Sequence, residues 1–234
     1  MSTEDFTYGD SNAMPLDFLR YELYDVQTPQ ELKPHLDATV ALRQYTGETK
    51  LFPAQDTLGI ILDGTLFALA HHQTQQESSF LEPQDISVLK KNAHYTFHGS
   101  GTSLDIIMNN LWGGRSFIRA KDTPFIGGYA GGTIKMLKND TGQGNIHLIW
   151  VDAEKNIKKP HYHKELTEIY VVLQGTGIMQ LQSQDQTQNT VFPLQPGTLV
   201  LVPPHTIHNT CSDKGMVIQV IGLPRFSKKD MYWV

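Results

Sequence analysis

The chain of 234 residues contains a single cysteine, Cys211. No internal disulfide can form, and thiolate-rich structural zinc sites are excluded. A reducing compartment is the simpler expectation, which points to the cytoplasm. Charge is also scarce: 18% of residues are charged, and the net charge is −5. Lys and Arg never stand more than two together, so a nucleic-acid role has no electrostatic footprint. No apolar run approaches the ~18 residues that a membrane span needs. The acidic N-terminal stretch has no apolar segment of the secretory type. Helical periodicity is missing as well, since no 11-residue window carries a convincing 3.6-residue repeat.

What the chain does have is β texture. From Leu51 onward, short runs of Ile, Leu, Val and Phe alternate with Gly, Pro, Asp and Asn turns. Expected strands are Leu58–Leu62 before an Asp63-Gly64 turn, Thr65–Ala70, Ile86–Leu89 and Leu104–Met108. A second set follows at Ile146–Val151, Glu168–Leu173, Gly177–Leu181, Thr198–Val202 and Met216–Ile221. Between the sets, residues 113–133 hold three Gly-Gly pairs and Pro124, which reads as a connection with a short strand near Ser116–Ile118. The two sets also match at an offset of 111: Gly64-Thr65 with Gly175-Thr176, Gln84 with Gln195, His94 with His205, Ile107 with Ile218. A tandem β-domain repeat explains this order. The expected division is a polar, disordered or tag-like stretch over 1–13, an N-terminal β-domain with an arm over 14–118, a Gly-rich linker over 119–133, and a C-terminal β-domain over 134–234. Ser11-Asn12-Ala13 before Met14 reads as a tag remnant or as a natural polar tail, and in both cases 1–13 carry no functional argument.

Two stretches carry chemistry. One is His161-Tyr162-His163-Lys164-Glu165-Leu166-Thr167-Glu168. The other ends in Pro203-Pro204-His205-Thr206-Ile207-His208. On a strand His161 and His163 share a face. Glu168 lies five residues on, so a bend or strand change must intervene before it can join them. Three imidazoles and a carboxylate suit one divalent transition metal per chain: Fe, Mn, Ni, Co or Zn. Four protein ligands leave two positions of a six-coordinate ion open. Tyr170 should share the inward face with Glu168, either as an acid/base or substrate-positioning group, or as a barrel aromatic with a satisfied hydroxyl. Gln219 reads as a polar outward position in preference to a pocket hydrogen-bonder. Ile169, Val171 and Leu173 face away from Glu168 yet are apolar, so that surface should pack on the other domain or on a second subunit, as in a homodimer.

This pattern resembles the cupin superfamily. Its first motif has His-x-His, three or four residues, Glu, six residues and Gly, matched by His161, His163, Glu168 and Gly175. Its second has Gly, five residues, Pro-x-Gly, two residues, His, three residues and Asn, matched by Gly197, Pro203 and His208. Lys155, His205 and Ser212 depart from the motifs at turn positions and not at ligands. The resemblance implies an all-β fold of two tandem jelly-roll barrels, the metal lying inside the C-terminal one. At the 111 offset the ligands fall on Lys50, Phe52, Thr57 and Phe97, with His98 one register step away. The N-terminal barrel is therefore expected to be degenerate, and His71, His72, His94 and His98 to be surface or loop histidines. The resemblance implies a metal-dependent enzyme acting on a small polar molecule and does not choose among dioxygenase, decarboxylase, isomerase and lyase. Two free adjacent coordination positions put dioxygenase chemistry first, with a lyase or isomerase next and a non-catalytic ligand-binding or sensing protein as the alternative.

Overall fold

The computed structural model describes residues 19–22, 30–32, 36–71, 76–108, 115–125, 132–138, 145–151, 159–223 and 227–234. The proposed tag region, His72, Lys155 and residues 126–131 of the Gly-rich linker lie outside these. In chain order the first strands are β1 (Leu19–Glu22), β2 (Gln30–Glu31), β3 (Ala38–Leu51), β4 (Asp56–His71), β5 (Gln76–Leu81), β6 (Ile86–Leu89), β7 (His94–Met108) and β8 (Phe117–Ile118). The rest are β9 (Gly132–Lys138), β10 (Asn145–Val151), β11 (His161–Tyr162), β12 (Thr167–Gly175), β13 (Gly177–Gln182), β14 (Asn189–Leu194), β15 (Thr198–Val202), β16 (Ile207–Cys211), β17 (Met216–Leu223) and β18 (Tyr232–Trp233). Only single 3₁₀ turns, Ala120–Asp122 and Lys228–Asp230, interrupt the β structure among the described residues. No helix there is long and apolar enough to cross a membrane.

The strands form two tandem jelly-roll barrels. In the N-terminal barrel one sheet runs β2-β3-β7-β4-β6-β8, with β5 against β4. Its strands β3, β4 and β7 are 14, 16 and 15 residues long, so each passes through both layers. The turn expected at Asp63-Gly64 is instead a kink inside β4. The register against β7 shifts between Ile61 and Asp63, and Gly64 sits at φ +78° with Ser100 and Gly101 backbone where a Cβ would go. A bulge of this kind bends a strand around a barrel corner without ending it. In the C-terminal barrel the equivalent strands are divided. The order β1-β15-β12-β17-β10-β9 makes one sheet, and β14-β13-β16-β11-β18 makes the other.

The pairing registers correct the sequence offset. His208 pairs with Leu181 and His161, and Tyr95 pairs with Ala70 and Leu51. Ala70 and Leu181 are equivalent through the matched Gly-Thr steps. Tyr95 therefore occupies the place of His208, not Phe97 or His98, and Leu51 that of His161, not Lys50. Thr57 keeps the place of Glu168. Strand breaks in the C-terminal barrel add residues that a fixed offset does not count. His71, His94 and His98 are exposed, as expected.

Two further findings concern the join between barrels. The arm does not stay with the N-terminal barrel: β1 pairs antiparallel with β15, Leu19 opposite Leu201 through Glu22 opposite Thr198. Glu22 Oε2 accepts from Thr198 Oγ1 at 3.0 Å, and the Arg20 guanidinium lies 5.0 Å from the Phe192 ring centre. The outer face of β12 is also covered. Ile169, Val171, Leu199, Leu201, Val217 and Ile221 form one buried cluster with Val40, Leu58, Ile60, Val88, Leu104 and Ile106. The second apolar face of β12 is thus explained within one chain, and Leu173 packs partly buried against the same cluster. Gln219 shares that face and is fully buried, correcting its expected exposure. Its outward surface meets the other barrel and not water. A second cluster, with Tyr170, Met179, Leu181, Phe192 and Val220, fills the C-terminal barrel.

The inter-barrel core should carry much of the stability. Ile169 is fully buried in it, so Ile169→Ala is expected to cost about 2–5 kcal/mol through lost transfer energy and a cavity. Urea unfolding measures this. A loss under about 0.5 kcal/mol, the range of ordinary surface substitutions, would mean that the two barrels do not depend on this contact.

Candidate metal centre

The four motif residues converge from both sheets of the C-terminal barrel. His161 ends one strand pairing on β11, opposite His208 on β16. After Tyr162 the chain leaves that sheet, turns through residues 163–166, and enters the other sheet at Thr167. The strand change required by the odd spacing is this crossing. Glu168 is then held between Val202 of β15 and Gly222 of β17. One donor atom from each of His161, His163, Glu168 and His208 lies within 4.8 Å of the others, and no second group of this kind occurs among the described residues. His163 and His208 are 2% exposed and Glu168 is 7% exposed. Glu168 Oε2 is 2.9 Å from His208 Nε2 and 3.7 Å from His163 Nε2.

The ring nitrogens facing away from the centre are tied to main chain. His163 Nδ1 lies 2.8 Å from the Asp230 carbonyl oxygen, and His208 Nδ1 lies 2.9 Å from that of Thr206. A carbonyl only accepts, so each Nδ1 donates. In the neutral ring the lone pair is then on Nε2, aimed at Glu168 and available to a metal. His208 Nε2 and His161 Nδ1 are buried with no hydrogen-bond partner among the described residues. Buried polar atoms without partners are costly, and a cation shared by the four side chains would satisfy them. The residues present fit a divalent transition metal.

Burial, then the neighbouring His208, hold the His161 imidazole down to about 3. Burial alone would raise Glu168, but in the metal-free centre a hydrogen bond from His208 and the charges of His163 and His208, when those rings are protonated, hold it well below the usual carboxylate range. Tyr170, the expected acid/base candidate, donates its hydroxyl to Glu168 Oε2 at 2.8 Å. Its phenol is pushed well above its ordinary value, by burial first and then by the Glu168 charge.

Turn positions that depart from the cupin motifs still make the turns. His205 stands at φ +65°, a conformation that usually falls to glycine. Its N–H donates to the His163 carbonyl at 2.6 Å, linking the two ligand-bearing turns. Ser212 Oγ donates to the Thr176 carbonyl at 2.5 Å and accepts from Lys214 N–H at 3.3 Å.

One participant was not expected from the motifs. Asp230 accepts from the N–H groups of Lys164 at 3.0 Å, Glu165 at 3.3 Å and Leu166 at 3.1 Å. It binds the turn joining His163 to Glu168 from 64 or more residues away in sequence. The only local signal was an acid beside Tyr232 and Trp233, which fixes no partner.

Residues 134–223 match the family described as Cupin. That match covers the C-terminal barrel, where both motifs lie. Among curated proteins, the chain is 44% identical over 62 residues to a glucose-6-phosphate isomerase of Pyrococcus abyssi, covering 26% of this chain and 32% of that protein. A second glucose-6-phosphate isomerase, of Thermococcus gammatolerans, is 41% identical over 67 residues, 28% of this chain and 35% of that one. The match thus spans about a third of the length of these relatives. Among solved structures, an oxalate decarboxylase of Lactobacillus farciminis in a formate complex superposes with TM-score 0.70 at 9% identity, covering 97% of this chain and 89% of that one. The oxalate decarboxylase of Bacillus subtilis, whose structure concerns Mn(II) centres, gives TM-score 0.67 at 11% identity over 94% of this chain and 79% of that one. The chain therefore shares the fold of those decarboxylases across both barrels.

The metal-free protein should lose stability in mild acid. Unfolded, His161 takes a proton near ~6.5; folded, it resists to about 3. Between those values the unfolded state holds more protons, so stability falls as pH drops, by up to about 1.4 kcal/mol per pH unit for this one group. Glu168, lowered in the fold, adds loss in the same direction at lower pH. Urea midpoints of metal-free protein between pH 7.5 and pH 4.5 test this, with His161→Leu expected to flatten the slope. An equal slope in that variant would contradict the assignment.

Proposed function

We propose that this chain is a metal-dependent cupin enzyme acting on a small polar molecule, with its centre in the C-terminal barrel, and that its chemistry is of the isomerase or lyase type. The observation that carries the proposal is the convergence of His161, His163, Glu168 and His208 within 4.8 Å. The chemistry follows from the company the chain keeps. The sequence relatives are named glucose-6-phosphate isomerases and the structural neighbours oxalate decarboxylases. The sequence relatives favour the isomerase branch over the dioxygenase placed first on the two open coordination positions. A polyhydroxylated carbonyl compound such as a sugar phosphate is the substrate class to test first.

A bound divalent metal supplies Lewis-acid polarisation of a substrate oxygen. The chain's own residues arrange the rest. Glu168 brings a negative charge that compensates the cation. Tyr170 reaches the centre through Glu168, and its donated hydrogen bond fits an orienting role. The apolar cluster around Tyr170 and Val220 limits water on the inner side, which strengthens electrostatic contacts at the centre.

Metal analysis and paired assays decide. Protein purified without chelator should hold about one divalent metal per chain, since only one complete ligand set exists among the described residues. His161→Ala, His163→Ala and His208→Ala should each lose stoichiometric metal while remaining folded, because burial and not metal holds a domain of this size. Full occupancy in all three would sink the assignment. Aldose–ketose interconversion that needs metal and proceeds equally under air and argon supports the isomerase reading. O₂ consumption tied to turnover would overturn it in favour of an oxygenase. Ligand-induced stabilisation without any turnover would favour a sensor.

A further inference from the structure

We propose that residues 227–234 form a strap that presets the metal centre, with Asp230 as its positioning residue; this rests on the metal reading of that centre. The strap touches the ligand-bearing turn at every level. The Asp230 carbonyl fixes His163 Nδ1 at 2.8 Å. Its carboxylate collects the three successive N–H groups of residues 164–166, so one side chain sets the turn that separates His163 from Glu168. Ser227 Oγ accepts from Lys229 N–H at 3.2 Å and starts the 3₁₀ turn that delivers Asp230. Beyond it, β18 pairs with β11, Tyr232 opposite Tyr162 and Trp233 opposite His161. The two tyrosine rings stack at 5.1 Å, and Lys164 Nζ lies 4.3 Å from the Tyr232 ring centre. The Trp233 ring lies 5.3 Å from that of His161. Val234 N–H donates to the Pro160 carbonyl at 3.0 Å, one residue before His161.

The strap thus contacts both histidines of the His-x-His pair and the turn between His163 and Glu168. A side chain that orients a ligand's far nitrogen and its backbone changes affinity without touching the metal. Coupling of this kind is reciprocal: a strap that improves metal binding must itself be held more firmly once metal is bound.

The test uses Co²⁺ as probe on the full chain, because its visible bands report coordination geometry. Asp230→Ala should weaken Co²⁺ binding about 10- to 100-fold and shift the bands. Asp230→Asn keeps one acceptor oxygen for the turn amides and should lose less. In the wild type, hydrogen exchange at the amides of residues 164–166 should slow when Co²⁺ is added. Wild-type affinity and spectrum in Asp230→Ala would overturn the proposal, as would exchange at 164–166 indifferent to metal. Should Asp230→Ala fail to fold, the wild-type exchange decides alone. A wild type that binds no Co²⁺ fails the metal reading itself, a result distinct from a bound metal indifferent to the strap.

Discussion

Three imidazoles and a carboxylate meet inside a barrel whose apolar core includes Met179, Leu181, Phe192 and Val220. Burying such groups is unfavourable unless each is paired, and burying a lone carboxylate is worse. The structure meets this constraint in two ways. Main-chain carbonyls take the outer nitrogens of His163 and His208, and Tyr170 with the histidines surrounds Glu168. What remains is a set of inward lone pairs, the arrangement that a cation completes. The two-sheet barrel is what allows it: His161 and His208 come from one sheet, the carboxylate from the other, and the turn at 163–166 that joins the sheets carries His163.

Much of this was legible beforehand, for physical reasons. Buried strands must be apolar at fixed period, so the runs at Ile86–Leu89 and Thr198–Val202 coincide with strands. Strand geometry puts i and i+2 on one face, so His-x-His implied a shared target. The apolar outer face of β12 implied a second covering layer, and the N-terminal barrel supplies it.

What was not legible depends on contacts distant in sequence. Nothing in Leu19–Glu22 specifies β15 as its partner, since edge pairing satisfies any extended backbone. Gln219 looks like a surface residue because polarity reports only the usual solvent, not the other barrel. Asp230 carries no motif at all, since its work is done through backbone amides that have no sequence signature. The fixed 111-residue offset failed where strand breaks shift the registers, moving the counterpart of His208 from Phe97 to Tyr95.

The central claim is the identity of the ligand set. X-ray absorption on the chain reconstituted with one equivalent of Zn²⁺ reads it directly. The account predicts first-shell scattering from nitrogen and oxygen only, with multiple scattering from three imidazoles and no sulfur. A sulfur shell would implicate Cys211, and fewer than two imidazoles would remove the centre from His161, His163 and His208. Either result would contradict the account.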